Sequence, residues 1–196
     1  QLKYLQSQIN PHFLFNSLNA GAQLAMMEDA EKTGIFVEKM ADFFRYNVKK
    51  GQEDATLGEE LEAVDNYIYI LNVRFAGDIH FNKDVDESLE NVRVPSMILQ
   101  PVVENAVNHG IRDIEWEGKI HLTVTGDADY IRISVKDNGK GMTPEQIESV
   151  LSGNKEHCNE QSDSTGIGMN NVISRLELYY EEPGLVEINS DGENKG

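Results

Sequence analysis

The 196-residue sequence lacks the features of several large protein classes. It has one cysteine, five prolines and one tryptophan, and acidic residues outnumber basic ones by 34 to 17, a net charge of −17. The single cysteine, Cys158, excludes an intramolecular disulfide framework and suits a reducing compartment. No apolar run approaches the ~18 residues that a membrane-spanning helix needs. Because so acidic a surface is repelled by phosphate backbones and anionic lipids, we expect no nucleic-acid partner and no broad binding to membrane surfaces.

The sequence does contain enough apolar material for a folded core. Hydrophobic residues make up 39% and charged residues 26%, which allows one ordinary domain, or a small helical element with one domain. The charge is uneven, because residues 1–50 hold six basic and five acidic residues whereas residues 51–196 hold 11 and 29. This change in composition predicts a boundary near the polar stretch 49–54.

Two apolar helices are predicted before that boundary. Apolar residues recur at helical spacing over residues 1–27, where Pro11 interrupts the pattern, and again over residues 29–49. Two short helices with wide apolar faces cannot bury those faces alone, so we expect half of a bundle, completed by a second copy or by the neighbouring domain. A helical cap on a single domain is the alternative.

Helices and strands follow in a mixed order after the boundary. Thr56 followed by Glu59 is a helix start signal. The predicted elements are a helix over 56–75, a strand over 79–85, a helix over 95–110, a hairpin of strands over 120–125 and 130–135, a helix over 143–151, a polar stretch over 152–165, a helix over 167–180 and a strand over 185–188. This order predicts an α+β fold, a sandwich whose mixed, largely antiparallel sheet is covered on one face by helices.

The segment from Asp137 to Met142 could recognise a nucleobase. A carboxylate at a strand end, followed by Gly139 and Gly141, can accept a hydrogen bond from an exocyclic amine such as that of adenine. A calcium loop is excluded, because glycines occupy two of its ligand positions and Met142 replaces its required glycine. A plain glycine turn after a strand remains the alternative.

The segment Gly166-Ile167-Gly168 opens a predicted helix, whose free N–H groups could receive a phosphate. It fails as a dinucleotide fingerprint, because no strand precedes it and Asn171 replaces the third glycine. A flexible hinge is the alternative. The long polar loop before it would suit a lid over a ligand.

Four polar residues interrupt the apolar helix predicted over 101–109. An amide oxygen on this helix, together with nucleotide phosphates and water, would be enough to hold Mg²⁺. A half-exposed helix with polar outer positions explains the same pattern, so both interpretations stay open. The four residues are Glu104, Asn105, Asn108 and His109.

His12 lies among apolar residues beside Pro11. A lone histidine in such company is usually structural, but a neutral imidazole is also nucleophilic near pH 7 and can accept a phosphoryl group. Asn16 lies one helical turn away, where it could bind a phosphate or orient a water. The other histidines outside the helix over 101–109 have no metal-like spacing and are predicted to lie on the surface; they are His80, His121 and His157.

Taken together, these segments resemble the LytS-like (autolysin-regulator) class of sensor histidine kinases over nearly the whole chain. The matching residues are 10–16, which read Asn-Pro-His-Phe-Leu-Phe-Asn, then Glu104, Asn105, His109 and Gly110, then Asp137, Gly139 and Gly141, then Gly166 and Gly168, with Tyr67, Arg74 and Phe75 between them. The resemblance implies a GHKL-type (Bergerat) ATP-binding sandwich like that of gyrase and heat-shock-90 chaperones.

The resemblance also implies a role for each matched residue. Asp137 would bind the adenine amino group, Asn105 would hold Mg²⁺ on the ATP phosphates, and His12 would accept the γ-phosphoryl group. Glu104 is a candidate base and Asn16 a candidate for a phosphatase role. The remaining predicted nucleotide contacts are Asn108, His109, Gly139, Gly141, Met142, Gly166 and Gly168.

Three departures from the family pattern affect this interpretation. Phe13 stands where other histidine kinases often have an acidic residue after the phosphoacceptor. Asn108 stands where a phosphate-binding Lys or Arg is frequent, so Mg²⁺ or another cation must neutralise the charge of the phosphates. Lys140 and Arg175 are the candidate side chains for such a cation. The chain stops where the family usually continues into a final strand, so we expect that strand to be truncated.

We therefore expect the catalytic core of a two-component sensor kinase, excised from a longer protein. Residues 1–50 would form the dimerisation and phosphoacceptor region, residues 51–196 the ATP-binding domain, and a hinge near 50–55 would join them. The resemblance implies a homodimer, a response-regulator receiver domain as partner, and a cytoplasmic location below a membrane-spanning sensor in a bacterial membrane protein. The alternatives are a GHKL-type ATPase, or a nucleotide-binding module in which the His12 segment only mediates dimerisation.

Overall fold

A computed structural model of the protein describes residues 11–49, 54–75, 79–111, 114, 117–127, 129–152 and 163–191. The helices are α1 (Pro11–Met27), α2 (Glu31–Lys49), α3 (Leu57–Arg74), α4 (Leu99–Asn105), α5 (Pro144–Ser152) and α6 (Asp163–Tyr180). The strands are β1 (Asp54–Thr56), β2 (Ile79–Val85), β3 (Arg93–Pro95), β4 (Gly118–Gly126) and β5 (Ile131–Asp137). A 3₁₀ turn (Glu87–Leu89) precedes β3, and a π-helical turn (Ala106–Ile111) continues α4.

The first two helices form a hairpin. The short connection between them bends back because Asp29 adopts a left-handed conformation (φ 56°) and the Ala30 N–H donates to the Ala25 carbonyl oxygen at 2.8 Å. Helix α1 packs against α2, and α2 packs against α3. The predicted N-terminal helical hairpin is therefore confirmed from Pro11 onward, and residues 1–10 lie outside the described residues. Within the described part of the chain, no helix is long and apolar enough to span a bilayer.

Helix α3 begins with the predicted capping box. The Glu59 N–H donates to Thr56 Oγ1 at 3.2 Å, and the Thr56 N–H donates to Glu59 Oε2 at 2.9 Å. Two of the N–H groups that a helix start leaves without a backbone partner are thereby satisfied. The helix then buries one apolar stripe, which consists of Leu57, Leu61, Val64 and Ile68.

The sheet is mixed, as the sequence predicts. Strand β4 lies in the middle of the three-stranded sheet, parallel to β2 and antiparallel to β5. Its residues alternate between buried and more exposed positions, so only one face carries the core. Strands β1 and β3 form a separate antiparallel pair.

The core lies between that face of the sheet and helices α3, α4 and α6. It joins apolar residues from the helices to three side chains of β4 that are at most 1% exposed, which are Ile120, Leu122 and Val124. One layer of helices over one face of a sheet is the predicted α+β sandwich, and this prediction is confirmed.

Two predicted helix starts and one predicted strand are wrong. The helix predicted from residue 95 begins at Leu99, because β3 extends through Pro95 and a turn follows. The helix predicted from residue 167 begins at Asp163, where Asp, Ser and Thr are residue types that favour a helix start. The strand predicted over 185–188 is absent from the described sheets, because an apolar alternation forms no strand without a neighbouring ladder.

Candidate active site

The end of β5 and the end of the α4 region meet at Asp137. A Cβ atom added to Gly110 would lie 2.5 Å from Asp137 Oδ1, so no larger residue fits there without moving the carboxylate. The π-helical turn that contains Gly110 follows Asn105 directly, and such turns are often found at functional sites. The structure therefore brings the Asp137 segment and the polar end of the predicted helix over 101–109 together.

Gly139 makes an even closer backbone contact. A Cβ atom at this position would lie 2.3 Å from the carbonyl carbon and oxygen of Gly110. The Lys140 N–H donates to that same carbonyl oxygen at 3.1 Å, which fixes the loop after β5 against the π-helical turn. Asn138 points to the other side, where its Oδ1 accepts from the Lys119 N–H at 2.7 Å. Asp137 is thus left facing the α4 region.

The Asp137 carboxylate lies in a partly desolvated position. Burial raises its pKa above the ordinary value, although Oδ1 accepts a hydrogen bond from the Gly139 N–H at 2.9 Å. A half-buried carboxylate beside glycine backbone is suited to accept a hydrogen bond from a planar amine.

Asn105 is the last residue of α4 and carries an unused acceptor. Its Oδ1 atom is buried and has no hydrogen-bond partner among the described residues. An orphaned buried oxygen is costly unless a ligand or water satisfies it. Asn108 is exposed in the π-helical turn, and the His109 side chain lies outside the described residues.

Glu104 faces the opposite way, toward α3. The Gln100 Nε2 group donates to Glu104 Oε1 at 2.7 Å. Burial raises the pKa of the Tyr67 hydroxyl, and the nearby charge of Glu104 raises it further. Tyr67 in turn stacks on Phe43 of α2, with ring centroids 6.0 Å apart. Glu104 therefore lies on the side of α4 that faces the helical hairpin.

The loop after Gly139 leads to α5. Gly141 has a φ of 71°, a conformation that glycine adopts without strain. The Met142 N–H donates to Ser190 Oγ at 2.9 Å, so the C-terminal segment covers this loop. Helix α5 then begins with a second capping box, formed by Thr143 and Gln146.

Neither Gly166 nor Gly168 opens α6, because the helix begins at Asp163 and Gly166 is its fourth residue. A Cβ atom added to Gly168 would meet no atom within 4 Å. The N–H groups that have no partner within α6 therefore belong to its first turn, which starts at Asp163, and not to Gly168. Of the polar stretch over 152–165, the predicted lid, Ser152 ends α5 and residues 163–165 begin α6, while residues 153–162 lie outside the described residues.

The structure places His12 in the first turn of α1, with Asn16 one turn later and exposed. The His12 side chain lies outside the described residues. His80 and His121 are exposed, so their predicted surface location is confirmed, while His157 lies outside the described residues.

The two candidate cations have different surroundings. Lys140 is exposed beside Gly110, whereas Arg175 Nη1 donates to the carbonyl oxygen of Ser96. Arg175 thus already has a structural partner at the turn before α4.

Sequence reasoning missed one buried acidic residue, Glu60. Its side chain is 0% exposed and accepts three backbone N–H bonds before and at the start of α4. The available signal was a glutamate between Leu57 and Val64 on the apolar stripe of α3, since an unpaired charge is rarely buried.

The candidate cation ligand of this site is an amide oxygen, Oδ1 of Asn105. Among the described residues there is no group of three or more His, Cys, Asp and Glu side chains able to hold a metal. The buried amide oxygen of Asn105 is a ligand type that Mg²⁺ accepts together with phosphate oxygens and water.

The chain belongs to the family of histidine kinase-, DNA gyrase B- and HSP90-like ATPases, whose model matches residues 93–193. Residues 1–79 match a second model, that of histidine kinases. Both matches confirm the resemblance to sensor histidine kinases that the sequence motifs indicate.

Sensor histidine kinase YpdA of Escherichia coli (strain K12) is 36% identical over 184 residues, which cover 93% of this chain and 31% of that protein. Sensor protein LytS of Streptococcus agalactiae serotype V is 31% identical over 192 residues, covering 97% of this chain and 32% of that protein. The chain spans about a third of the length of these curated relatives. The solved catalytic domain of histidine kinase ThkA has a TM-score of 0.46 and 23% identity, covering 64% of this chain and 79% of that chain.

Proposed function

We propose that the chain is the catalytic core of a two-component sensor histidine kinase. It transfers the γ-phosphoryl group of ATP to His12 and then to an aspartate of a response-regulator receiver domain. The observation that carries this proposal is the contact between Asp137 and Gly110, which joins a base-recognition carboxylate to the helix that bears Glu104 and Asn105.

Nucleotide recognition in this proposal is local. Asp137 accepts from the adenine amino group, while Gly139 and Gly141 allow the ligand and the backbone to approach closely. Met142, Asn108, His109, Gly166 and Gly168 complete the proposed pocket around base and phosphates. Asn105 would hold Mg²⁺ through the amide oxygen that has no protein partner. When bound, Mg²⁺ supplies positive charge against the phosphates.

Glu104 is the proposed base. One nitrogen of the neutral His12 imidazole attacks the γ-phosphorus, the bond from that phosphorus to the β–γ bridging oxygen breaks, and ADP leaves with the bonding pair. The attacking ring becomes positively charged, so a carboxylate that takes the proton from its other nitrogen favours the product. The position of Glu104 on the face of α4 toward the hairpin supports this role, because the hairpin carries His12.

The proposal divides the chain into residues 1–50, for dimerisation and phosphoryl acceptance, and residues 51–196, for ATP binding, with a hinge near 50–55. A second copy would cover the exposed apolar side chains of the hairpin, which are Leu24, Met26, Met27 and Val48. Asn16 is the proposed residue for dephosphorylation of the regulator. In the whole protein this core would lie on the cytoplasmic side of a membrane, below a membrane-anchored sensor.

The test is incubation of the chain with γ-labelled ATP and Mg²⁺, with His12→Gln as the variant and His121→Gln as the matched control. We expect acid-labile label on the wild type and on His121→Gln, and none on His12→Gln. Label that survives His12→Gln would overturn the assignment. Free phosphate without labelled protein would indicate an ATPase, and binding without either product would indicate a nucleotide-binding module.

A further inference from the structure

The Glu60 carboxylate binds the segment that leads into α4. Oε1 accepts from the Met97 N–H at 2.6 Å, and Oε2 accepts from the Ile98 and Leu99 N–H groups at 2.9 and 2.8 Å. Because the first N–H groups of a helix have no partner within it, a carboxylate here satisfies them and interacts favourably with the helix dipole. Glu60 on α3 thus fixes where α4 begins.

The bound segment is a tight turn held from both sides. Met97 has a φ of 62°, a left-handed conformation that is unfavourable for a non-glycine residue and persists only when its surroundings impose it. Glu60 holds the N–H side of this turn, and Arg175 of α6 binds the Ser96 carbonyl oxygen. Two long-range contacts therefore define the conformation of the turn.

The helical hairpin reaches the same carboxylate. The Tyr46 hydroxyl on α2 donates to Glu60 Oε1, although residues 50–56, which include β1, lie between the two helices in the chain. Burial raises the pKa of Tyr46, and the charge of Glu60 raises it further, so the hydroxyl stays protonated and remains a donor.

The start of α4 is directly connected to its functional end. The helix has only seven residues, so Glu104 and Asn105 lie less than two turns from Leu99. Gln100, in the first turn, donates to Glu104. A displacement at the turn before α4 is therefore passed to both residues.

We propose that Glu60 is a positioning residue for the nucleotide site. Its carboxylate fixes the turn 96–98, and with that turn the positions of Glu104 and Asn105. Tyr46, on α2 of the helical hairpin, holds the carboxylate from the other side. This inference rests on the proposed function, since it gives Asn105 the role of holding Mg²⁺.

The direct test measures how much Mg²⁺ improves ATP affinity in the full 196-residue chain. Calorimetry gives the dissociation constant of ATP in EDTA and in excess Mg²⁺, and their ratio is the Mg²⁺ gain; adenosine affinity is measured alongside. In Glu60→Gln, an amide NH₂ replaces one acceptor oxygen, so we expect the Mg²⁺ gain to fall about tenfold while adenosine affinity stays within about twofold. Glu62→Gln changes an exposed carboxylate on the same helix and should match the wild type.

The decisive result is a smaller Mg²⁺ gain with an unchanged adenosine affinity, because the loss of a residue that only supports the fold would lower the affinities for ATP and adenosine alike. An unchanged Mg²⁺ gain in folded Glu60→Gln, or an equal loss of both affinities, would overturn the proposal. If Glu60→Gln does not fold by circular dichroism, Tyr46→Phe decides. It keeps the three backbone bonds, so we expect a smaller fall in the Mg²⁺ gain of about threefold, with Tyr69→Phe unchanged; a wild-type gain in Tyr46→Phe would overturn the proposal.

The wild type separates this inference from the proposed function. A wild-type chain without ATP binding or without a Mg²⁺ gain would overturn both proposals. A wild type that shows the gain and labels His12, beside variants that keep the full gain, would overturn only the positioning role.

Discussion

At the scale of single residues, the contact between Gly139 and Gly110 leaves no room for a side chain. We expect Gly139→Ala to lower the free energy of unfolding by about 1–3 kcal/mol, because its Cβ atom would meet backbone that cannot move away. Gly168→Ala is the matched control in α6, where the added methyl meets nothing. That variant should raise the free energy by about 0.5–1 kcal/mol. Urea unfolding measures both, and equal stabilities would contradict the described packing.

Asp137 allows a test of burial through pH. Since burial raises its folded pKa, the folded state binds this proton more tightly than the unfolded state. Its contribution to stability therefore falls as pH rises from the unfolded pKa, about 3.9, through the folded pKa. Asp137→Asn removes the titration, so its stability relative to the wild type should increase across that window and then level off.

The same variant should bind adenosine about tenfold more weakly, because an amide oxygen is a poorer acceptor than a carboxylate. Urea unfolding at several pH values and calorimetry measure the two effects. Asp129→Asn, which changes an exposed carboxylate, is the matched control and should alter neither quantity. A parallel pH dependence in Asp137→Asn and wild type would contradict the burial of this group.

Local sequence patterns single out the candidate residues of this site but not the contacts that position them. Asp137, Gly139 and Asn105 stand in local patterns whose chemistry can be read from neighbouring residues. Glu60 and Tyr46 act through a contact that depends on how α2, α3 and α4 pack, which no local spacing contains. Only the misfit of a charge on an apolar stripe indicated Glu60.

At the scale of elements, the start of α3 depends on Thr56. We expect Thr56→Ala to lower the free energy of unfolding by about 1 kcal/mol, because the Glu59 N–H loses its side-chain acceptor. Ser174→Ala, at an exposed position inside α6, should instead raise it by roughly 0.5 kcal/mol through helix propensity. Thermal and urea unfolding give both values. A Thr56→Ala chain as stable as the wild type would show that the capping box contributes nothing.

Elements with a strong local signal were predicted well. The capping box placed α3 within a residue of its observed start, and alternation located β2, β4 and β5. The helix predicted over 95–110 begins before the observed start of α4 at Leu99. The turn between them has a left-handed residue, Met97, and a methionine gives no sequence signal for that conformation. The false strand over 185–188 shows that alternation alone does not supply a partner strand.

At the scale of the whole molecule, the net charge of −17 does not conflict with a nucleotide. An acidic surface repels an extended polyanion over many contacts. In the proposed function a single nucleotide would instead be recognised by a few groups, namely one carboxylate, glycine backbone and an amide oxygen that would share a cation with the phosphates. The contact between Tyr46 and Glu60 then links this site to the hairpin that carries His12.

The most direct measurement of the central claim is the location of the phosphoryl group after reaction with ATP and Mg²⁺. Peptide mapping by mass spectrometry at neutral pH should find one phosphorylated residue, His12, in the wild type, and none in Asn105→Ala. Asn171→Ala, an exposed asparagine on α6, serves as the control and should be phosphorylated like the wild type. A phosphoryl group on another residue, or phosphorylation of His12 that does not depend on Asn105, would contradict the account.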